Sequence, residues 1–210
     1  MSSQDNHPGK FVGAAGVPTA FFNRSDSTAA KPAVSHADED LVGRGIKQWR
    51  AERPDIDSSG KAVVGRIIRL EEVVLRTFNA VLQPLGIKYQ AYAVLATLRV
   101  AGRPYRLSPS RLQSTLLFTS GGLSNLLRRL ENDGLIRRSI DPIDRRGVSV
   151  QLTAKGLLLA DEAMPAHAAA ERQLLRMFDA RQCAMLAELL SMMMVANAPE
   201  LGTVPDISKD

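Results

Sequence analysis

The chain has 210 residues, 45% of them hydrophobic, and a formal net charge of +5 at pH 7. That length suits one domain with appendages or two small domains, and the apolar content permits a sizeable core. The single cysteine, Cys183, excludes an internal disulfide framework and cysteine-rich metal sites. No run of about 18 apolar residues is present to span a membrane. Residues 11–22 are mildly apolar but are broken by Gly13, Gly16, Pro18 and Thr19 and lack a basic lead-in. They do not fit a signal peptide, so a cytoplasmic protein is expected.

In chain order, residues 1–36 are rich in Ser, Ala, Gly, Asn and Pro without periodicity. A disordered tail is expected, with Phe21 and Phe22 as an apolar pair able to dock on the body. Residues 37–60 hold an extra helix and a turn. The helix covers about 38–51, starts at Asp38 or Asp40, and carries Leu41, Ile46 and Trp49 as a rough apolar stripe. Arg53-Pro54 ends it, because a residue before proline avoids the helical region. A long helix follows over 61–82, where Val63, Ile67, Leu70, Val74, Phe78 and Val81 recur at 3–4 spacing. Pro84 and Gly86 stop it. Residues 89–101 form a mostly apolar helix central to the core, closed by Gly102-Arg103-Pro104.

Ser108 caps the next helix, with Pro109 at the first helical position, where its missing N–H does no harm. Leu112, Leu116 and Leu117 face inward. Thr119 caps a second helix over 120–133, ended by Gly134. Leu123, Leu126, Leu127 and Leu130 make its buried stripe; Ser120, Gly121, Ser124, Asn125 and Arg128 make the opposite one. Small and amide side chains on that outer stripe suit base edges in a major groove. Each glycine weakens the helix by up to about 1 kcal/mol relative to alanine, offset where the backbone approaches DNA closely. Residues 136–139 and 148–152 predict two strands, the second alternating Val148, Val150 and Leu152 with Ser149 and Gln151. The loop between them carries Asp141, Pro142, Asp144, Arg145, Arg146 and Gly147. An arginine-tipped hairpin suits a narrow, strongly negative minor groove. A long helix starts at Thr153 and is kinked or interrupted at Pro165. Asp179-Ala-Arg-Gln182 reads as a capping box for a final helix bearing Met185, Leu186, Leu189, Leu190, Met192 and Met193. Residues 199–210 are a tail.

Between Arg99 and Gly156 there are eleven basic and four acidic residues, a net +7. Positive charge concentrated on a helix-turn-helix pattern is the electrostatic footprint of a nucleic-acid binder. The elements expected are mainly α, with a helix-turn-helix pattern followed by a small charged β-hairpin. No Ser/His/Asp or paired-carboxylate arrangement stands out, and His7, His36 and His167 have no metal-ligand spacing. No enzyme activity, cofactor or metal is expected. Cys183 is expected to pack structurally rather than to sense redox state.

The paired helices ending in RRLENDGLIRR, the DPIDRR loop and the LTAKG that opens the next helix resemble the MarR family of winged-helix transcription regulators. The resemblance covers roughly residues 41–198. It implies a mainly α fold with a small β-wing, in which a winged helix-turn-helix DNA-binding lobe over 89–152 joins a helical dimerisation region made of 61–84 and 153–198. It implies a homodimer on a pseudo-palindromic DNA operator, with a ligand crevice between the dimer region and the DNA-binding lobe. By the same resemblance Arg146 is the wing residue in the minor groove, held by Asp144, and Arg145 meets phosphate. IKQWRAERPDID, VVGRIIRL and VLATLRVAGRPYRLSPS are similar to the PecS-type, urate-responsive branch. Its ligand positions fall on Trp49, Ala93, Leu126 and Arg138, so two polar groups of that branch are apolar here. Unmet hydrogen bonds in a buried site cost roughly 1–3 kcal/mol each. The resemblance thus implies a ligand-released repressor whose effector is a small aromatic anion such as an aromatic carboxylate, in preference to urate. Trp49 also suits a simple anchor for its helix, and Arg138 also suits a DNA phosphate or an acidic partner. The alternative functions are an architectural winged-helix DNA-binding protein with little sequence preference, or a urate-responsive regulator.

Overall fold

A computed structural model describes residues 39–116, 118–140 and 147–198. The expected N-terminal and C-terminal tails, Leu117, and the wing residues Asp144, Arg145 and Arg146 lie outside the described residues. Two compact units divide the chain between Ile56 and Asp57.

The first unit holds α1 (Leu41–Glu52). Of the two candidate caps it is Asp40 that starts the helix, its carboxylate accepting the Gly43 N–H at 2.7 Å. Ile46 is buried, whereas Leu41 and Trp49 are exposed. After the helix the Arg53 guanidinium grips the Asp55 carboxylate at 2.8 and 2.6 Å, which holds that carboxyl below its usual range.

The second unit runs through α2 (Lys61–Leu82), a 3-10 turn (Gln83–Leu85), α3 (Tyr89–Val100), β1 (Arg106–Leu107), α4 (Pro109–Leu116), α5 (Ser120–Asn132), β2 (Ile136–Ile140), β3 (Val148–Leu152), α6 (Ala154–Leu174) and α7 (Ala180–Asn197). The strands form an antiparallel sheet in the order β1-β3-β2. Two strands are expected from the pattern and three are present. A two-residue strand is too short for alternation to show. β1 is defined only by its register, Arg106 opposite Gln151 and Leu107 opposite Val150. The expected alternation in β3 holds at Val150 and Leu152 but fails at the outer end, where Val148 is exposed and Ser149 is fully buried. Ser149 is tolerated inside because its hydroxyl lies 3.2 Å from that of Ser139, its partner across the strands.

The main core gathers Val94, Leu95 and Leu98 from α3, Leu112 from α4, the α5 leucines, Val150 and Leu152 from β3, and Ala160 from α6. A smaller core holds Leu82, Tyr92 and Ala163. Pro165 does not interrupt α6, which is continuous over 21 residues. Both Pro165 and Asp161, whose carbonyl loses its helical donor, lie on the exposed side. Water can satisfy that carbonyl, and buried Ala160, Ala163 and His167 hold the helix on either side.

Two helices leave large apolar side chains uncovered. In α2 only Phe78 and Leu82 are buried; Leu70, expected to face inward, and Val63 are exposed, as are Val64 and Ile68. The capping box of α7 is present at Asp179 and Gln182, yet α7 buries no residue. Met185, Leu189, Met192 and Met194 are all exposed, and Cys183 is partly exposed. Among the described residues no helix is long and apolar enough to cross a membrane.

Candidate nucleic-acid interface

Helix α5 owes its position to a leucine stripe. Leu123, Leu126, Leu127 and Leu130 are at most 6% exposed, and Ser120, Gly121, Ser124, Asn125 and Arg128 are all exposed on the other side. Thr119 begins the helix by accepting the Gly122 N–H at 3.2 Å. Arg128 donates to the Asn125 amide oxygen at 3.3 Å, which orients an amide able to read a base edge. The two glycines separate by role. A Cβ on Gly122 would come within 2.9 Å of the Thr119 hydroxyl, so that glycine serves the cap. A Cβ on Gly121 would meet nothing, so no packing within the chain requires glycine there.

The end of α5 is tied down by the LTAKG segment. Gly134 takes φ +70, the left-handed conformation that closes a helix at glycine. Thr153 caps α6 by accepting the Gly156 N–H at 3.0 Å and donates its hydroxyl to the Gly134 carbonyl at 2.7 Å. The Lys155 ammonium donates to the Asp133 carbonyl at 2.8 Å, placing a cation at the negative end of α5. A Cβ on Gly156 would collide with the Leu135 carbonyl, so only glycine lets α6 start this close to the turn. The sequence motif is thus a set of three couplings between α5 and α6.

Beyond that turn β2 and β3 pair out to Ile140 opposite Val148, the described residues on either side of the segment 141–146 in the sequence. Arg137 donates twice to the Gln151 side chain, at 3.1 and 2.8 Å, and Gln151 in turn donates to the Pro104 carbonyl at 2.8 Å. β2 and β3 are thereby laced to the segment that leads into β1.

Among the candidate ligand residues, Arg138 is paired. Its Nε donates to Glu131 at 2.7 Å and its backbone N–H donates to the same carboxylate at 2.9 Å. The side-chain bond, then the backbone bond, hold the Glu131 carboxyl below its usual range. Arg138 lines a shallow cleft with Glu131, Ser139 and Val148. Leu126 lines a different cleft of about 240 Å³, whose apolar floor also includes Ile87, Ala91 and Leu130 and whose rim includes Lys88 and Arg129. Ala93 is buried on α3 and lines neither cleft. Within the second unit, then, Arg138 and Leu126 are not brought together. Trp49, in the first unit, is 43% exposed. Among the described residues no group of three or more His, Cys, Asp or Glu side chains is placed to hold a metal.

The model of the MarR family matches residues 85–147. The HTH-type transcriptional regulator PecS of Dickeya dadantii (strain 3937) is 34% identical over 145 residues, covering 69% of this chain and 87% of that protein. This chain belongs to the MarR family. Multiple antibiotic resistance protein MarR of Salmonella typhimurium is 36% identical over 87 residues, 41% of this chain and 58% of that protein. In three dimensions the chain is similar to a cysteine-to-serine mutant of MarR from E. coli complexed with operator DNA, with a TM-score of 0.59 at 27% identity over 66% of this chain and 99% of that one. The winged-helix fold is shared as well with AbsC, a MarR family transcriptional regulator from Streptomyces coelicolor, at a TM-score of 0.60 and 23% identity over 66% of this chain and 93% of that one. Membership makes this chain a DNA-binding transcriptional regulator, and α5 is the second helix of its helix-turn-helix.

Sequence reasoning missed three features of this MarR-family chain. Glu131, the partner of Arg138, lies seven residues away and on a different element. The Arg99–Asp161 pair spans 62 positions. The aromatic surroundings of His167 come from α2 and α3. Periodicity carries no signal for any of these.

Proposed function

We propose that the protein is a homodimeric repressor that reads a pseudo-palindromic operator with two copies of α5 and is released from it by a small aromatic anion. The observation that carries this reading is the two-sided character of α5: a fully buried leucine stripe fixes the helix while Ser120, Gly121, Ser124, Asn125 and Arg128 face outward. The operator complex of the E. coli relative supports DNA as the partner. The uncovered apolar faces of α2 and α7 support a second copy as the other partner, because exposed patches of that kind mark association surfaces.

For the wing, the reading assigns Arg146 to the minor groove, held by Asp144, and Arg145 to phosphate. Arg146→Ala then weakens operator binding by roughly 1–3 kcal/mol and relaxes sequence preference. Arg145→Ala weakens binding evenly across sequences and lowers the salt slope by about one. Equal effects of the two on specific and random duplexes contradict the assignment.

For the effector, the Leu126 cleft supports a ligand with an apolar ring and a negative edge, since the side chains of Ile87, Ala91, Leu126 and Leu130 offer no hydrogen bonds and the cations Lys88 and Arg129 outweigh the single acid of the lining, Asp133. Arg138 takes part only by exchanging Glu131 for the ligand. Trp49 and Ala93 complete the set of proposed ligand positions, Ala93 as buried apolar support. The ligand shifts the population toward a spacing of the two α5 helices that mismatches successive major grooves. A coupling of roughly 1–3 kcal/mol weakens operator binding about 5- to 150-fold. Calorimetry with benzoate, salicylate and urate tests this: tighter binding of the carboxylates, weakened by Leu126→Asp, is expected. Tight urate binding lost on Trp49→Ala contradicts it.

A further inference from the structure

Helix α6 belongs to two cores. Its first half gives Ala160 to the winged-helix core, with Leu157 and Leu159 packed against it. Its middle gives Ala163 to the smaller core with Leu82 and Tyr92, and Met164 packs there too; beyond Pro165, His167 and Ala170 are buried as well. The division falls at Asp161 and Glu162. At the same place Pro165 supplies no N–H, so the Asp161 carbonyl has no helical donor and the backbone ladder is weakest where the two cores part.

One ion pair ties that point to α3, which itself gives Val94, Leu95 and Leu98 to the main core and Tyr92 to the smaller one. Arg99, in the last turn of α3, donates from Nε to the Asp161 carboxylate at 2.6 Å. Its guanidinium carbon also sits 5.1 Å from the centre of the Tyr105 ring. Tyr105 has φ 60, a left-handed conformation rare for a bulky side chain, and its carbonyl accepts the Leu152 N–H at the end of β3. Arg99 therefore joins α6, α3 and the strap leading into the sheet. The two side chains are 35% and 47% exposed, so the pair adds little to folding stability.

We infer that Asp161–Pro165 is the hinge between the winged-helix lobe and the α2–α6 scaffold, and that Arg99 is a positioning residue that braces this hinge at the lobe angle needed for two half-sites. The inference rests on the dimeric reading above. Bending at the hinge moves α5 as a rigid piece, because Thr153, Lys155 and Gly156 lock α5 to the first turn of α6.

The test uses the full chain and an operator duplex selected by the wild-type protein from random sequence, together with versions carrying one base pair inserted or removed at the dyad. The wild type binds the selected spacing best. In Arg99→Gln and in Asp161→Asn the preference for that spacing shrinks by roughly 3- to 30-fold with melting temperature little changed. Pro165→Ala, which restores the missing backbone bond, recovers part of the preference in the Arg99→Gln background. Asp161→Asn is the decisive variant, because removing an acid raises affinity for every duplex if Arg99 merely attracts DNA. Unchanged spacing preference in both variants, or a uniform loss at all spacings, overturns the brace. If the wild type itself shows no spacing preference, the dimeric reading falls and takes the brace with it, an outcome distinct from the first two.

Discussion

His167 illustrates how a single side chain registers its surroundings. It is 7% exposed, and its ring lies 4.2 Å from that of Phe78, 4.4 Å from Tyr92 and 5.9 Å from Tyr89. Its Nε2 has no hydrogen-bond partner among the described residues, and Glu171 approaches Nδ1 only to 3.7 Å. Burial pushes the imidazole below its ordinary value near 6.5, with the Glu171 charge opposing. A base with a depressed folded-state value contributes no penalty above the unfolded value. As pH falls below about 6.5 the unfolded chain binds a proton that the folded chain resists, so stability declines. Melting temperature should therefore drop from about pH 7.5 to about pH 5.5. The drop should be smaller in His167→Phe, whose ring needs no partner in that aromatic box. An identical drop in both proteins would show that His167 is not the source. The glycines give a second residue-scale test. Gly156→Ala should cost about 1–3 kcal/mol or more, because its Cβ meets the Leu135 carbonyl rather than a movable side chain. Gly121→Ala should stabilise the fold by up to about 1 kcal/mol, since nothing in the chain lies within 4 Å of the added methyl, and on the proposed reading of α5 it should still weaken operator binding. Thermal melts and operator titrations of these two variants separate packing from recognition.

At the scale of elements, what could be read from the pattern and what could not follow one physical line. Local signals were legible: the stop of α2 at Leu82 ahead of Pro84, the Thr119 cap, the leucine stripe of α5, and the Asp179–Gln182 capping box all lie within a few residues of one another and appear as expected. Features fixed by distant chain were not. β1 exists because Leu107 packs opposite Val150, 43 positions away by register, and two residues leave no alternation. Pro165 reads as a break because propensity is local, yet α6 runs through it because buried Ala160 and Ala163 hold the helix before it and buried His167 and Ala170 hold it after. For the site, the outward face of α5 was legible from period alone, whereas the engagement of Arg138 by Glu131 depends on how β2 folds back beside α5. That engagement has a consequence at this scale. If an anion binds Arg138 it displaces a carboxylate that accepts both the side chain and the Arg138 backbone N–H. Glu131→Gln should then raise affinity for an aromatic carboxylate, read by calorimetry. Unchanged or weaker binding would remove Arg138 from the effector site.

At the scale of the whole molecule, the proposed pairing of two chains accounts for the apolar surface left uncovered on α2 and α7. A helix of 18 residues with no buried position, beside an α2 that is covered only at its last turns, is not a stable arrangement of apolar surface in water. Leu189 and Met192 are 58% and 60% exposed, so Leu189→Glu with Met192→Glu should be close to neutral for a lone chain. In a dimer through α7 the same change should split the pair and abolish operator binding together, because one α5 alone spans a single half-site. The most direct measurement of the central claim is the salt-dependent equilibrium binding, with stoichiometry, of the full chain to a selected operator and to a scrambled duplex of equal length. The account predicts two chains per operator, a steep loss of affinity with salt, and a preference for the operator of roughly 10³-fold or more. One chain per duplex, or equal affinity for the two sequences, would contradict it.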